Sequence, residues 1–196
     1  MEKIIWKDKL HSTAHFSLFF NIAYSIYHMV FGVTTASWWF LTIGIYYAIL
    51  SVVRYVVLQH RSRKQLLRFT GSMLILLSVS LVGTVILAFI KDRGTVFHLI
   101  TMLAIATYTF TKIVLCTAKW IKARKNTSPK MLALRNISFA DALVSILSLQ
   151  RSMLVSFEGM AETEIRIMNV VTGSGVCVVV FLLGLHILKV KQQHSG

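Results

Sequence analysis

The sequence predicts an all-α membrane protein: a polytopic six-helix transmembrane bundle in one membrane domain, residues 1–196. Two observations predict this class. Hydrophobic residues make up 56% of the chain, while charged residues contribute only 14% and proline occurs once. Six apolar segments are each long enough to cross the hydrocarbon core, which takes about 20 helical residues. Helices are expected because backbone polar groups in lipid must be satisfied within each segment.

The predicted spans follow one another through short connections. They cover residues 16–35, 38–58, 69–90, 96–118, 137–157 and 167–188. The third and sixth spans contain no Asp, Glu, Lys or Arg, so they are the clearest transmembrane segments. Residues 1–15 are predicted to form an amphipathic lead on the inner membrane surface, and residues 189–196 a cytoplasmic tail.

Basic residues are distributed unevenly between the two sides of these spans. One side carries Lys3, Lys7, Lys9, Arg61, Arg63, Lys64, Arg68, Lys119, Lys122, Arg124, Lys125, Lys130, Arg135, Lys189 and Lys191. The other side has only Lys91, Arg93 and Arg166. Because Lys and Arg accumulate in cytoplasmic loops, both termini are predicted to lie in the cytoplasm. The net charge of +14 therefore reflects topology, and no nucleic-acid partner is predicted.

The second half of the chain repeats features of the first half in the same order. Residues 16–40 match residues 97–121 at six positions, and ILSVVR at 49–54 matches ILSLQR at 146–151. Thr-Gly-Ser occurs at both 70–72 and 172–174. Three spans per copy is an odd number, so the copies must have opposite orientations. We predict a 3+3 inverted-topology repeat of about residues 16–90 and 96–188; chance similarity between apolar segments is the alternative.

Four charged residues fall inside the predicted spans: Arg54, Lys112, Asp141 and Arg151. Each costs about 2.5 to 3.5 kcal/mol on insertion scales, so such residues are usually paired or functional. Lys112 and Asp141 have similar predicted depths and are expected to form an ion pair, with Arg54 competing for the same carboxylate. All four are candidate substrate-binding or gating residues. A structural clamp is the alternative for Lys112 and Asp141, and snorkelling towards headgroups is the alternative for the arginines.

Two further sets of residues are candidates for contact with a solute. Polar side chains predicted to line a pathway are Asn21, His28, Tyr108, Ser145, Ser148 and Ser152. The serines recur on one helix face, for which close helix packing is the alternative explanation. Predicted anion sites at helix N-termini are Thr70, Gly71, Ser72, Thr172, Gly173 and Ser174.

Enzyme signatures are weak in this chain, and no catalytic residue, metal or cofactor is predicted. Cys116 and Cys177 are isolated and belong to no redox or zinc pattern. The segment from Thr172 to Gly175 resembles the serine loop of rhomboid intramembrane proteases only faintly, because its glycine is shifted. His28 would be the base for Ser174, so an intramembrane enzyme is a minor alternative.

Three stretches resemble small six-span membrane proteins of Gram-positive bacteria. They are SWWF at 37–40, KARKNTSPKMLALRNIS at 122–138 and ADALVSILSLQRSMLVSF at 140–157. That group generally carries no assigned activity. The resemblance implies a bacterial plasma membrane and nothing about chemistry.

Together these features predict a small transporter or channel whose inverted halves enclose a site near the bilayer midplane. Three intramembrane cations against one carboxylate favour an anionic or carboxylate-bearing solute. Asp141 is a candidate for carrying a coupling proton. A non-catalytic accessory or assembly protein is the alternative function. The lipid bilayer is the expected environment, and a homo-oligomer or a protein partner stays open.

Overall fold

The regular structure of the chain is helical, as its apolar segments with a single proline require. The computed structural model describes residues 2–59, 63–90, 98–123, 128–156 and 161–193. These ranges contain α1 (Glu2–Thr34), α2 (Trp38–Gln59), α3 (Arg63–Ile90), α4 (Leu99–Ala123), α5 (Pro129–Ser156) and α6 (Glu162–Gln193). They contain no strand. The predicted all-α bundle is confirmed.

Five of these helices are long and apolar enough to cross a membrane. The segments are Trp38–Gln59, Gln65–Leu87, Leu99–Ala118, Pro129–Ser156 and Glu162–Lys189. Their outward faces carry large exposed apolar side chains such as Leu103 and Phe110, which suit contact with lipid. The chain is therefore an integral membrane protein with several spans. A crossing by α1 and the orientation of the termini stay predictions.

Local sequence signals set the helix ends. Ala36 has a left-handed φ of 49°, and the Ser37 N–H donates to Gly32 O at 3.0 Å, which closes α1 with a Schellman-type turn. Pro129 opens α5 at the first helical position, and Ser128 Oγ caps it by accepting from the Met131 N–H at 3.3 Å.

Several helices extend beyond the predicted spans. Helix α5 begins eight residues before the predicted start of its span, and α1 runs without interruption from Glu2 to Thr34. Residues 2–15 of the predicted lead are thus continuous with the first predicted span. Residues 2–31 contain neither proline nor glycine, so nothing in the sequence breaks the helix between them.

Four helices form the centre of the bundle, and the other two pack on its outside. Helices α2, α3, α5 and α6 contact one another in every pairing except α2 with α6, whereas α1 packs on α2 and α4 packs on α5 in the described ranges. The buried apolar core is built mainly from the four central helices, with Leu50, Leu77, Val144 and Val180 fully buried. This arrangement leaves a space bounded by α1, α2, α4 and α5, in which the polar residues collect.

Helices α3 and α6 pack antiparallel through glycines. A Cβ atom on Gly71 would lie 3.0 Å from Gly184 O, and one on Gly173 would lie 2.5 Å from a methyl group of Val85. Such separations mean that the two helices approach as closely as glycine allows. We call this contact the α3–α6 pair.

The Thr-Gly-Ser triplets belong to this contact, so their predicted role as helix N-termini is wrong. Residues 70–72 lie seven or more residues inside α3, and residues 172–174 lie ten or more inside α6. Their backbone N–H groups are therefore within the helical hydrogen-bond ladder and are not free to bind an anion. Both helices extend beyond the apolar segment because the polar residues before each span continue the helix. The triplets supply packing glycines instead.

Candidate functional site

The carboxylate of Asp141 lies at the centre of a buried polar group formed by four helices. Asp141 Oδ1 accepts from Lys112 Nζ at 2.6 Å, and its Oδ2 accepts from Arg54 Nη2 at 3.2 Å and from Asn21 Nδ2 at 2.9 Å. These residues come from α1 (Asn21), α2 (Arg54), α4 (Lys112) and α5 (Asp141). We call the four residues the Asp141 cluster. The predicted ion pair of Lys112 with Asp141 is present, and Arg54 shares the same carboxylate.

All three charged side chains of the cluster are removed from solvent. The exposed fraction is 1% for Arg54, 4% for Asp141 and 10% for Lys112. Arg54 is further held by hydrogen bonds from Nη1 to Ser17 and from Nη2 to Ser138 at 3.4 Å. Taking charges out of water is costly, and their mutual attraction offsets that cost only when the geometry is good and the other donors are satisfied. Both terminal nitrogens of the Arg54 guanidinium have hydrogen-bond partners here.

Three tyrosine rings surround the ammonium group of Lys112. Its Nζ lies 4.5 Å from the ring centre of Tyr47, 4.6 Å from that of Tyr108 and 5.3 Å from that of Tyr24. All three distances are within the range of cation–π attraction. The rings also contact one another, with Tyr24 packed edge-on against Tyr47 and tilted against Tyr108. We call these three rings the tyrosine cage.

A hydrogen-bonded chain fixes the position of the cage relative to the carboxylate. Ser145 Oγ donates to the backbone carbonyl of Asp141 at 2.9 Å, so the 2.8 Å contact between the Tyr47 and Ser145 hydroxyls has Tyr47 as donor. Tyr47 is fully buried. The chain joins α2 to α5 one helical turn from Asp141.

The other predicted pathway residues, His28, Ser148 and Ser152, lie around this centre. His28 Nδ1 lies 3.0 Å from the Tyr24 carbonyl, and the His28 ring packs against the Tyr24 ring. Ser148 and Ser152 are buried on α5, where Ser152 donates to the Ser148 carbonyl at 2.9 Å. The burial of Ser148 and Ser152 favours close helix packing, which is the alternative explanation for the serines on this helix face.

Arg151, the fourth predicted intramembrane charge, lies outside the cluster. Its guanidinium carbon sits 4.2 Å from the ring centre of Trp39, at the opposite end of the α2 and α5 contact from Arg54. Helices α2 and α5 are antiparallel, because Tyr47 meets Ser145 between these two ends. The structure therefore brings together three of the four predicted charges and separates the fourth.

Two cavities open away from the cluster. One of about 430 Å³ lies between α3 and α6 and is lined largely by valine side chains together with Ser174 and Cys177. The other, of about 200 Å³, lies between α2 and α3 beside Tyr46 and Thr84. Ser174 is on α6 and His28 is on α1, and in the described ranges no Cα atom of one helix lies within 8 Å of the other. No three His, Cys, Asp or Glu residues in those ranges are grouped to hold a metal ion.

Sequence reasoning did not single out two residues of this site, Tyr47 and Ser17. Helical spacing could have identified Tyr47. Tyr47 precedes Arg54 by seven residues, so the two side chains lie on the same face of the helix. Ser17 lies at the edge of a predicted span, where a serine carries no distinguishing signal.

Comparisons with known proteins add no relative. No family model matches the chain, and no curated protein or solved structure is detectably similar to it.

Proposed function

We propose that this chain is a small membrane transporter or channel for an anionic or carboxylate-bearing solute, which binds at the Asp141 cluster. The observation that carries this proposal is a buried charge imbalance. Arg54 and Lys112 share the single carboxylate of Asp141, so the cluster bears one excess positive charge among the described residues. An isolated charge inside a membrane protein is expensive and generally marks a functional position. A monovalent anion would neutralise it.

The helix arrangement supports a site between two inverted halves. Helix contacts follow the same pattern in both halves. The α1–α2 contact corresponds to the α4–α5 contact, and the α2–α3 contact corresponds to the α5–α6 contact. One contact breaks the pattern, because α3 contacts α5 but α2 does not contact α6 in the described ranges. In the proposed repeat Tyr47 corresponds to Val144. The observed hydrogen-bond partner of Tyr47 is Ser145, the residue that follows Val144 in the chain. Repeats of this kind hold their solute near the midplane.

The two repeat-related glycines also support this arrangement. Gly71 and Gly173 correspond to each other in the Thr-Gly-Ser triplets, and each is a point where α3 and α6 approach closely. A two-fold axis in the membrane plane would relate these contacts. We further propose that the chain resides in a bacterial plasma membrane with both termini in the cytoplasm, as its sequence resemblance and loop charges imply.

A non-catalytic accessory or assembly protein is the second candidate function. It is favoured by the close packing of the Asp141 cluster, in which one carboxylate ties four helices together. In that case the ion pairs act as a structural clamp, and the partner would be another membrane protein or a second copy of this chain.

Flux through the purified full-length protein in proteoliposomes separates these candidates. We would measure uptake of labelled acetate, lactate, benzoate, succinate and chloride, with sodium and potassium as cation controls. The proposal expects wild-type flux of at least one anion and at least a tenfold loss in Arg54→Gln, because that substitution makes the cluster electrically neutral. Arg151→Gln tests the gating role of the second arginine.

The matched control is Lys189→Gln, which removes an exposed basic residue of α6 outside the cluster. It should retain wild-type flux. If the folded wild-type protein moves none of these ions, the transport proposal fails and the accessory function takes its place. Flux that persists in a folded Arg54→Gln variant would exclude the Asp141 cluster as the anion site.

A further inference from the structure

The surroundings of Lys112 Nζ have the composition of a binding site for a cation. A carboxylate oxygen lies 2.6 Å away, and three aromatic rings lie within 5.3 Å. A carboxylate combined with several aromatic faces is the arrangement by which proteins recognise ammonium groups. Here the occupant is a side chain of the protein itself.

Most of this site belongs to helices whose contacts with one another do not involve α4. Helix α4 carries Lys112, whose ammonium group occupies the site. Tyr24, Tyr47 and Asp141 come from α1, α2 and α5, and these helices are joined by α1 on α2 and α2 on α5 contacts. Within the described ranges the backbone of α4 approaches only that of α5, and no Cα atom of α1 lies within 8 Å of one in α4. Helices α1 and α4 meet through side chains such as Tyr24 and Tyr108. Removing the Lys112 side chain therefore leaves the carboxylate and two of the rings in place.

Unsatisfied polar atoms around the site point to a ligand with hydrogen-bond donors. The buried Asn21 Oδ1 and the buried hydroxyls of Tyr24 and Tyr108 find no hydrogen-bond partner among the described residues. Asn21 Oδ1 can only accept, and it belongs to the amide that already contacts the carboxylate of Asp141. Buried polar atoms without partners are costly. Lys112 Nζ donates to none of these three atoms, whereas a free ammonium cation is not held by a side chain and can move towards them.

We propose that Asp141 and the tyrosine cage form a binding site for a small primary ammonium cation, which Lys112 occupies as a tethered ligand. The carboxylate, which the ammonium shares with Arg54, accepts a hydrogen bond from it, and the rings contact its alkyl and ammonium surface. The site shares Asp141 and Lys112 with the proposed anion site, but its geometry does not require that the protein transports a solute. In a transporter, a tethered ammonium would take the place of a free coupling cation.

Chemical rescue tests this site in the full-length protein reconstituted in nanodiscs. In Lys112→Ala the ammonium position is vacated while the cage and carboxylate are kept. We expect ethylammonium to raise the thermal unfolding midpoint of Lys112→Ala saturably by several degrees, whereas sodium chloride at the same ionic strength does not. The wild-type protein should show no such shift because Lys112 already fills the site.

Two further variants make the result decisive. Lys112→Ala combined with Asp141→Asn removes the carboxylate and should abolish the shift, and Lys112→Met fills the cage with an uncharged chain and should not respond. The proposal is overturned if ethylammonium leaves Lys112→Ala unchanged, or if the double variant shifts equally. It is also overturned if Lys112→Ala fails to fold with or without ethylammonium while Lys112→Met folds, because the site then needs only a space-filling chain.

Discussion

The Asp141 cluster and the α3–α6 pair join helices of this bundle by opposite means. In the cluster, one amide and two cations from three helices donate to a single carboxylate of a fourth helix at distances of 2.6 to 3.2 Å. In the α3–α6 pair, glycines let two apolar helices approach until a single added carbon would touch the facing helix. The first contact depends on the balance of charge, and the second on the absence of side-chain volume.

This difference shows how each contact can fail. An ion cluster loses stability abruptly when one partner is removed, because the remaining charges stay buried without compensation. A glycine contact has no partner to lose, but it fails when volume is added. Substitutions that remove charge or add volume should therefore act selectively on the two regions.

Removal of the shared carboxylate should have the largest effect. Asp141→Asn leaves Arg54 and Lys112 buried without their counter-charge, and we expect it to lower the free energy of unfolding by about 3 to 5 kcal/mol. The measurement is reversible unfolding of the purified protein in mixed micelles.

Glu162→Gln is the matched control for that substitution. It breaks the Glu162 and Arg166 pair, whose atoms lie 3.8 Å apart on a largely exposed surface, and it should cost less than about 1 kcal/mol. Equal stability of Asp141→Asn and the wild type would show that the cluster contributes no net stability through its charges.

Added volume in the α3–α6 pair should have the next largest effect. Gly71→Val places carbon atoms where Leu188 and the Gly184 carbonyl already lie, so overpacking should cost about 1 to 3 kcal/mol. Gly83→Val on the same helix is the control, because a Cβ there meets nothing within 4 Å. The same unfolding experiment compares them, and equal costs for both would mean that helix propensity, not packing, decides the outcome.

Loss of one neutral hydrogen bond beside the cluster should have the smallest effect of the three. Tyr47→Phe keeps the ring beside Lys112 but removes the hydroxyl that donates to Ser145, which should cost about 0.5 to 1.5 kcal/mol. Tyr55→Phe, on a half-exposed ring of the same helix, should change stability by less than about 0.5 kcal/mol. A larger loss in Tyr55→Phe than in Tyr47→Phe would contradict this ranking.

Hydrophobic length predicted the helices, but it could not locate their ends. Trp38 and Ile90 begin and end helices as predicted, whereas α5 starts at Pro129 and α3 at Arg63, both outside the apolar segments. Polar residues next to a span can continue a helix into the interface, where water satisfies their side chains. The Thr-Gly-Ser triplets were misassigned for the same reason, because a helix N-terminus was placed at the edge of the apolar segment.

Intramembrane charge predicted the centre of the site, and tertiary packing supplied the rest. The cost of burying Lys112 and Asp141 led directly to their pairing. Similar depth also made Arg54 a competitor for that carboxylate, but the sequence did not show that Arg54 would share it with Lys112 or that Arg151 would pack on Trp39. That outcome depends on which helix each arginine faces, and helix rotation is a property of the assembled bundle.

The shared carboxylate has a consequence for the order of biosynthesis. Arg54 and Lys112 precede Asp141 by 87 and 29 residues, so both cations leave the ribosome before the anion that neutralises them. Until α5 is inserted, the first four helices hold two charges that lack this partner. Arrival of α5 thus acts as a late locking step, after which α1, α2 and α4 are held around one carboxylate.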